Sequence, residues 1–229
     1  MKTLMDYPVP SNESKRIKVL WQYDILDTVP EEVFDELASL AGLICGAPIS
    51  LISLVDENRQ WFKSKVGTEI PETSRDVSLC AHAIMHNDLF IIADASLDER
   101  FKNNPLVTQS PKIRFYAGAP LVTPDGHALG TLCVIDKVPR QLDDNQKQAL
   151  RVLARHVMMQ LELRRHGKEV AVAREGGDHD ERDRTKSELA AAKVEIAKLR
   201  KQLAAGKKPA KKHSATAKKK KPLLARTRR

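Results

Sequence analysis

Three cysteines and two closely spaced histidines carry most of the reactive chemistry legible in this 229-residue chain. Cys80, His82 and His86 fall within seven residues. On a helix His82 and His86 share a face, the i, i+4 spacing that metal or haem ligation uses. No second His or Cys cluster completes a four-ligand set, so the sequence gives no metal site, and Cys80 and His82 read as structural. Cys45, Cys80 and Cys133 are odd in number, widely spaced and without a CxxC pair, which suits a reducing cytoplasm rather than a disulfide framework. Cys45 ends a helical stripe and Cys133 sits mid-strand, so both read as buried and inert. Arg75, Arg100 and Arg114 supply guanidinium forks suited to carboxylates or phosphates. Asp94, Asp98 and Glu99 are near enough in sequence to pair with Arg100 and Arg114 as plain structural bridges.

The elements that must position these groups centre on residues 113–136. Two apolar runs, IRFYAGAPL and LGTLCVID, flank Asp125-Gly126, a strong hairpin signal. In the first run the alternation places Ile113, Phe115, Ala117, Ala119 and Leu121 on one face. In the second it places Leu129, Thr131, Cys133 and Ile135 on one face, with Ala128, Gly130, Leu132 and Val134 on the other. Neither face of the second strand is polar, so both sides of the sheet must be covered. Gly118 and Gly130 are costly inside strands unless something comes close to the backbone there, either a ligand or a tightly packed helix.

Upstream, Ser11 or Asn12 starts a helix to about Leu26. Thr28 followed by Pro30, Glu31 and Glu32 reads as a capped start of a second helix ending at Gly46. Ile49 to Val55 is a central strand. Gln60 to Val66 is the next, with Trp61 and Phe62 on opposite faces and Lys63 and Lys65 suggesting an edge or half-exposed position. Residues 67–76 read as a polar loop, 77–85 as a short helix, 89–93 as a short strand, and 97–110 as a long packed-down connection. After the hairpin, Leu142 opens a long helix that Gly176-Gly177 is expected to break. A further helix carries Leu189, Ala192, Ile196, Leu199 and Leu203 at steps of three and four, a short a/d seam suited to a coiled coil. The expected domains are residues 12–165, a helix extension and charged linker at 166–180, the helix at 181–205, and a disordered tail at 206–229. The fold class is α+β with one antiparallel sheet.

The net charge of +9 is concentrated at the C-terminal end. Residues 206–229 hold eight lysines, three arginines and no acid; the remainder has 28 basic against 30 acidic residues. Lys207, Lys208, Lys211, Lys212, Lys218, Lys219, Lys220, Lys221, Arg226, Arg228 and Arg229 form a composition expected to bind duplex DNA, RNA or another polyanion by counterion release, without sequence choice. Anionic membrane is a weaker rival, because only Leu223 and Leu224 could insert. Residues 37–55 lack charge over 19 positions, near transmembrane length. Gly42, Gly46 and Pro48 interrupt them, and they read as helix then strand. The N-terminus has no apolar segment of the signal-peptide kind.

Six segments in order carry a resemblance to a known family: ILDTVPEEVFDELASLA, ISLVDENRQWFKS, CAHAI, DERFKNNPLV, IRFYAGAPL and LGTLCVID. Together they resemble bacterial GAF domains, the sensory modules found ahead of histidine kinases and cyclic-dinucleotide enzymes. The resemblance implies a central antiparallel sheet, first and last helices on one face, a small-molecule cavity on the other, and homodimerisation through the terminal helices. It does not fix the cofactor or ligand. Trp61, Cys80, His82, Asp94, Arg100, Asn104, Arg114, Tyr116 and Thr131 are the candidate cavity residues.

The functional expectation is a non-enzymatic cytoplasmic signalling sensor that binds an unidentified small molecule or protein partner, with a tail that contacts a polyanion. No kinase, cyclase or phosphodiesterase sequence follows the domain. Phytochrome-type modules that hold a tetrapyrrole carry Cys-His side by side, whereas Ala81 separates Cys80 from His82. The asparagine-lysine, phenylalanine and aspartate-glutamate motif of cyclic-nucleotide GAF domains is not found. Two alternatives remain: a cysteine-dependent reductase of free methionine sulfoxide, and a scaffold for a DNA-compacting tail.

Overall fold

A computed structural model describes the backbone of residues 7–204, and their side chains except at 172–185, 192, 195, 196 and 199–204. Helices α1 (Glu13–Gln22) and α2 (Glu32–Cys45) precede strands β1 (Ile49–Val55), β2 (Arg59–Val66) and β3 (Glu72–Ser74). A 3-10 turn at Arg75–Val77, α3 (Leu79–Ala83), β4 (Phe90–Ile92) and α4 (Pro105–Thr108) follow. The hairpin β5 (Phe115–Val122) and β6 (Ala128–Asp136) and the helix α5 (Asp144–Ala204) complete the order. The strands form one antiparallel sheet in the order β3-β2-β1-β6-β5-β4. Chain reversal after β2 explains the topology: β6 returns to pair with β1, so the two most apolar strands lie at the centre.

Each sheet face has its own core. On one face Ile52, Leu54, Phe115, Ala117, Leu132 and Val134 pack with Leu20 of α1, Phe34 and Ala38 of α2, and Leu150, Leu153 and Val157 of α5. On the other, Ile49, Leu51, Phe62, Tyr116, Cys133 and Ile135 pack under α3 and the 97–110 connection. This is the two-sided covering that the apolar alternation demands. α2 ends as expected, with Gly46 at φ 61° in the left-handed region that glycine enters without a Cβ penalty.

Several local expectations are corrected. α1 stops at Gln22, because Asp24 and Asp27 take positive φ and turn the chain before α2. Thr28 does not cap α2; its hydroxyl donates to Ile25 O at 2.7 Å and accepts from Lys63 Nζ at 3.0 Å. β2 is not an edge strand, since β3, which lies within the expected loop, covers it. Lys63 is the extra residue where the β1–β2 register shifts, and this bulge lets it and its neighbour Ser64 both reach α2. It is 4% exposed, with its ammonium donating to Val29 O and Glu31 Oε1, both at 2.7 Å.

A second bulge lies between Leu121 and Val122, which pair with Gly130 and Ala128. It moves Leu129 onto the helix-covered face beside Leu132 and Val134, away from Thr131, Cys133 and Ile135. Ile113 precedes β5 and packs on the opposite face from Phe115. α5 is helical through Gly176-Gly177. Unlike proline, glycine keeps its N–H and costs only about 1 kcal/mol per residue in a helix, so flanking helix formers can carry the backbone across.

The chain divides into a compact unit up to Val172 and a second from Ala173. Within the first, Arg164 of α5 donates to Glu31 at 3.0 Å and to Asp24 O at 2.7 Å, and the Tyr23 hydroxyl bonds Glu162. In the second, the backbone of the expected coiled-coil stretch is helical, and Leu189 and Val194 are exposed. The remaining seam side chains, and all of the basic tail at 206–229, lie outside the described residues. No helix among the described residues is long and apolar enough to cross a membrane.

Candidate functional site

A cavity of about 230 Å3 opens on the face away from α1, α2 and α5. Its floor is the sheet: Ile49 and Leu51 of β1, Phe62 of β2, Tyr116 of β5 and Ile135 of β6. Its walls are Leu79 and Cys80 of α3, Leu106 of α4, and Ile113 just before β5. Alternate residues of each strand face it, which is why one face of every central strand had to be apolar. Lys137 is the single charged lining residue, and it is exposed. Thr73 contributes a buried hydroxyl that has no protein partner. Ser78 bonds Gln60 and accepts from Ala81 N at 3.0 Å, so it caps α3 and fixes Cys80 in the wall.

Cys80 and Cys133 lie with their sulfurs 3.9 Å apart, and both are fully buried. The Tyr116 hydroxyl donates to Cys80 Sγ at 3.2 Å and the Thr131 hydroxyl at 3.1 Å. Ser53 and Thr131 hydroxyls are 3.3 Å apart, so Ser53 can donate to Thr131 and leave the Thr131 proton for the thiol. Burial pushes the Cys80 thiol up, but the Cys133 thiol and the Ser53, Thr131 and Tyr116 hydroxyls outweigh it and bring it down to about 7. The hydrogen bond to Cys80, with burial, pushes Cys133 well up. Burial also lifts Tyr116, with the charge on Cys80 adding to it. Cys45 stands apart on the helix-covered face, raised to about 11 by burial.

The structure brings together Cys80, Tyr116 and Thr131 from the expected set, with Cys80 in the wall of the cavity and Tyr116 in its floor. The others lie elsewhere. Trp61 faces the opposite way, into the core under α1 and α2. Asp94 turns back to Ser96, accepting from its N at 3.0 Å and its hydroxyl at 2.6 Å. Arg100 makes a fork with Asp98 at 2.9 and 2.6 Å and stacks over Phe90 and Phe101, the structural-bridge alternative rather than a ligand fork. His82 packs edge-on against Phe101, and burial followed by the Arg100 charge lowers its pKa to about 4. Asn104 caps α4 at Leu106 N and donates to Val77 O. Arg114 donates to Val107 O and Ile113 O, both at 3.0 Å. Arg75 is buried on Glu13 at 2.6 Å and stacks on Tyr7. His86 stacks on Phe90 instead of joining His82. Among the described residues no group of three or more His, Cys, Asp or Glu side chains is placed to hold a metal.

The sheet topology, the cavity opposite the long helices and the six ordered motifs agree with a family model for the GAF domain, which matches residues 29–161. The chain belongs to the GAF family. It is therefore a module of the sensory, ligand-binding kind. A cyclic di-GMP phosphodiesterase of Pseudomonas aeruginosa is 44% identical over 155 residues, covering 67% of this chain and 26% of the relative. This chain thus spans about a quarter of that curated relative's length. The GAF domain of a Coxiella burnetii phosphoenolpyruvate-protein phosphotransferase matches with a TM-score of 0.51 at 15% identity, covering 69% of this chain and 99% of that one. A free methionine-R-sulfoxide reductase of Neisseria meningitidis in complex with its substrate matches with a TM-score of 0.49 at 15% identity, covering 71% and 98%. Likeness at this identity shows a shared fold alone.

Sequence reasoning missed Phe62, Leu79, Leu106, Ile113, Ile135 and Lys137 as cavity residues. One signal could have found Phe62 in place of Trp61. The acids Glu31 and Asp35 at the start of α2 need partners, and Lys63 and Ser64 supply them. Lys63 alternates with Trp61, so its pairing with Glu31 sets Trp61 rather than Phe62 under α2.

Proposed function

We propose that this chain is a GAF sensor, without catalysis of its own, that takes a small, mainly apolar ligand in the cavity beside Tyr116 and passes occupancy to α5. The carrying observation is the cavity itself: about 230 Å3, lined mainly by apolar side chains with Gln60, Thr68, Thr73 and Ser110 as its uncharged polar groups, and its one charged residue at the surface. That volume is below the ~300–1,000 Å3 typical of drug-sized ligands. It favours a compact ligand over a cyclic dinucleotide or a tetrapyrrole. The absence of buried charge in its lining also weighs against free methionine sulfoxide, whose ammonium and carboxylate would both need partners on burial.

The route to α5 is one strand thick. Tyr116 and Ile135 floor the cavity, while their neighbours Phe115, Ala117 and Val134 pack with the cluster that includes Leu150, Leu153 and Val157 of α5. A ligand that favours one position of β5 and β6 therefore biases the seating of α5. The expected output is a change in helix packing within a homodimer, relayed to a signalling partner or to the basic tail on a polyanion.

Native mass spectrometry of the freshly purified full chain tests this reading. A non-covalent small-molecule adduct is expected on the wild type and lost in Leu106→Trp, which fills the cavity. The reading fails if the wild type carries no adduct and no compound in a panel of compact apolar molecules raises its Tm above that of the filled variant.

A further inference from the structure

We propose that Cys80 and Cys133 form a peroxide-reactive dithiol that closes to a disulfide when an organic hydroperoxide enters the cavity. This goes beyond ligand sensing and uses the cavity only as the route of access. Three observations lead there. The two sulfurs are 3.9 Å apart, although 53 residues separate them in the chain. Two hydroxyl donors, Tyr116 and Thr131, converge on the Cys80 sulfur from neighbouring strands. Cys80 lies in the wall of an apolar cavity, which favours an alkyl or aryl hydroperoxide over charged oxidants.

The chemistry balances with the hydroperoxide as the sole co-reactant. The Cys80 thiolate attacks the terminal oxygen of ROOH. An S–O bond forms, the O–O bond breaks, and the RO fragment leaves as the alcohol, taking the proton that the thiol gave up. Tyr116 and Thr131 are placed to hold the thiolate and pass that proton. Cys133 sulfur then attacks the Cys80 sulfenic acid, the disulfide forms, and the hydroxyl departs as water with the Cys133 proton. Two thiols are oxidised by two electrons in all, and one hydroperoxide is reduced to alcohol and water. The sulfurs must approach from 3.9 Å to about 2.05 Å, a movement that side-chain rotation on α3 and β6 can contribute to. The product bond would staple α3 to β6, the strand that also packs towards α5.

Cys45 provides an internal control, since it is buried on the other face with no thiol beside it. The test treats the reduced full chain with cumene hydroperoxide under native conditions and maps the peptides by mass spectrometry. A loss of 2 Da is expected, located in a Cys80–Cys133 cross-link and reversed by dithiothreitol, with Cys45 unchanged. Cys133→Ser should stop at a Cys80 sulfenic acid that dimedone traps, and Cys80→Ser should leave Cys133 as a thiol. Tyr116→Phe should slow the reaction about tenfold with the circular-dichroism spectrum retained. The proposal is overturned if Cys45 oxidises as fast as Cys80. It is also overturned if no Cys80–Cys133 link forms, or if the reaction proceeds only as fast as global unfolding. The wild-type peptide map decides even where a cysteine variant fails to fold.

Discussion

The Tyr116 phenol fills the space that a Cβ at Gly118 would take. The two residues lie two apart on β5 and so share a face, and the glycine lets the ring lie down against the strand with its hydroxyl directed at Cys80. The small residue that reads as room for a ligand is room for a side chain of the same strand. Gly130 serves a different closeness: a Cβ there would strike the backbone of Ser53 in β1.

Gly118→Ala is expected to lose about 1–3 kcal/mol by forcing the phenol off its seat. Urea denaturation measures it. The double variant Tyr116→Ala, Gly118→Ala should be no less stable than Tyr116→Ala alone, because the clash is gone. Additive losses would show that Gly118 serves some other contact.

Lys63→Met is expected to destabilise by about 3 kcal/mol, the lower end for breaking a buried ion pair, because Glu31 remains partly exposed. Burial raises the Glu31 carboxyl, but Lys63 and then Arg164 bring it below the usual range, so it stays ionised and loses a partner at neutral pH. A loss under 1 kcal/mol in denaturant titration would contradict the assignment of Lys63 as a buried anchor for α2.

His82 makes stability pH-dependent above the carboxylate range. Its folded pKa is lowered to about 4, chiefly by burial and next by Arg100, against 6.5 when free. The unfolded chain therefore binds the proton first. The stabilisation is complete above about pH 6.5 and is lost as pH falls towards 4. After allowance for partial exposure it amounts to about 1–2 kcal/mol. Denaturation midpoints at pH 7.5 and 4.5 should differ by less in His82→Gln than in the wild type. An equal difference would remove His82 from the account.

Deleting residues 206–229 is expected to abolish salt-sensitive binding to duplex DNA while leaving the Tm of the GAF domain unchanged. The tail holds eleven of the 39 basic residues and no acid. In the intact chain log K should fall with log salt by about 0.9 per neutralised phosphate. Fluorescence anisotropy on two unrelated duplexes measures both, and binding that survives the deletion would locate the polyanion site elsewhere.

The sequence by itself determined the principal strands, the end of α2 and the family, because those rest on local signals. Apolar alternation marked β1, β5 and β6, Asp125-Gly126 marked the hairpin, and Gly46 marked the end of α2. Ordered motifs then carried the GAF resemblance, and the need to cover both faces of β6 followed from its lack of a polar side. What only the tertiary structure decided depends on register and on groups distant in the chain. One bulge set the adjacent Lys63 and Ser64 on the same face and another moved Leu129 across the sheet, since a one-residue slip reverses every side chain that precedes it. Face assignment put Phe62 rather than Trp61 in the cavity. Arg100 and Arg114 went to Asp98 and to backbone carbonyls, which local alternatives could not settle in advance. Cys133 read as buried and inert in its strand, and only the docking of α3 onto β6 set its sulfur beside that of Cys80. Periodicity records which way a side chain points, while chemistry between strand and helix depends on what the fold brings opposite it.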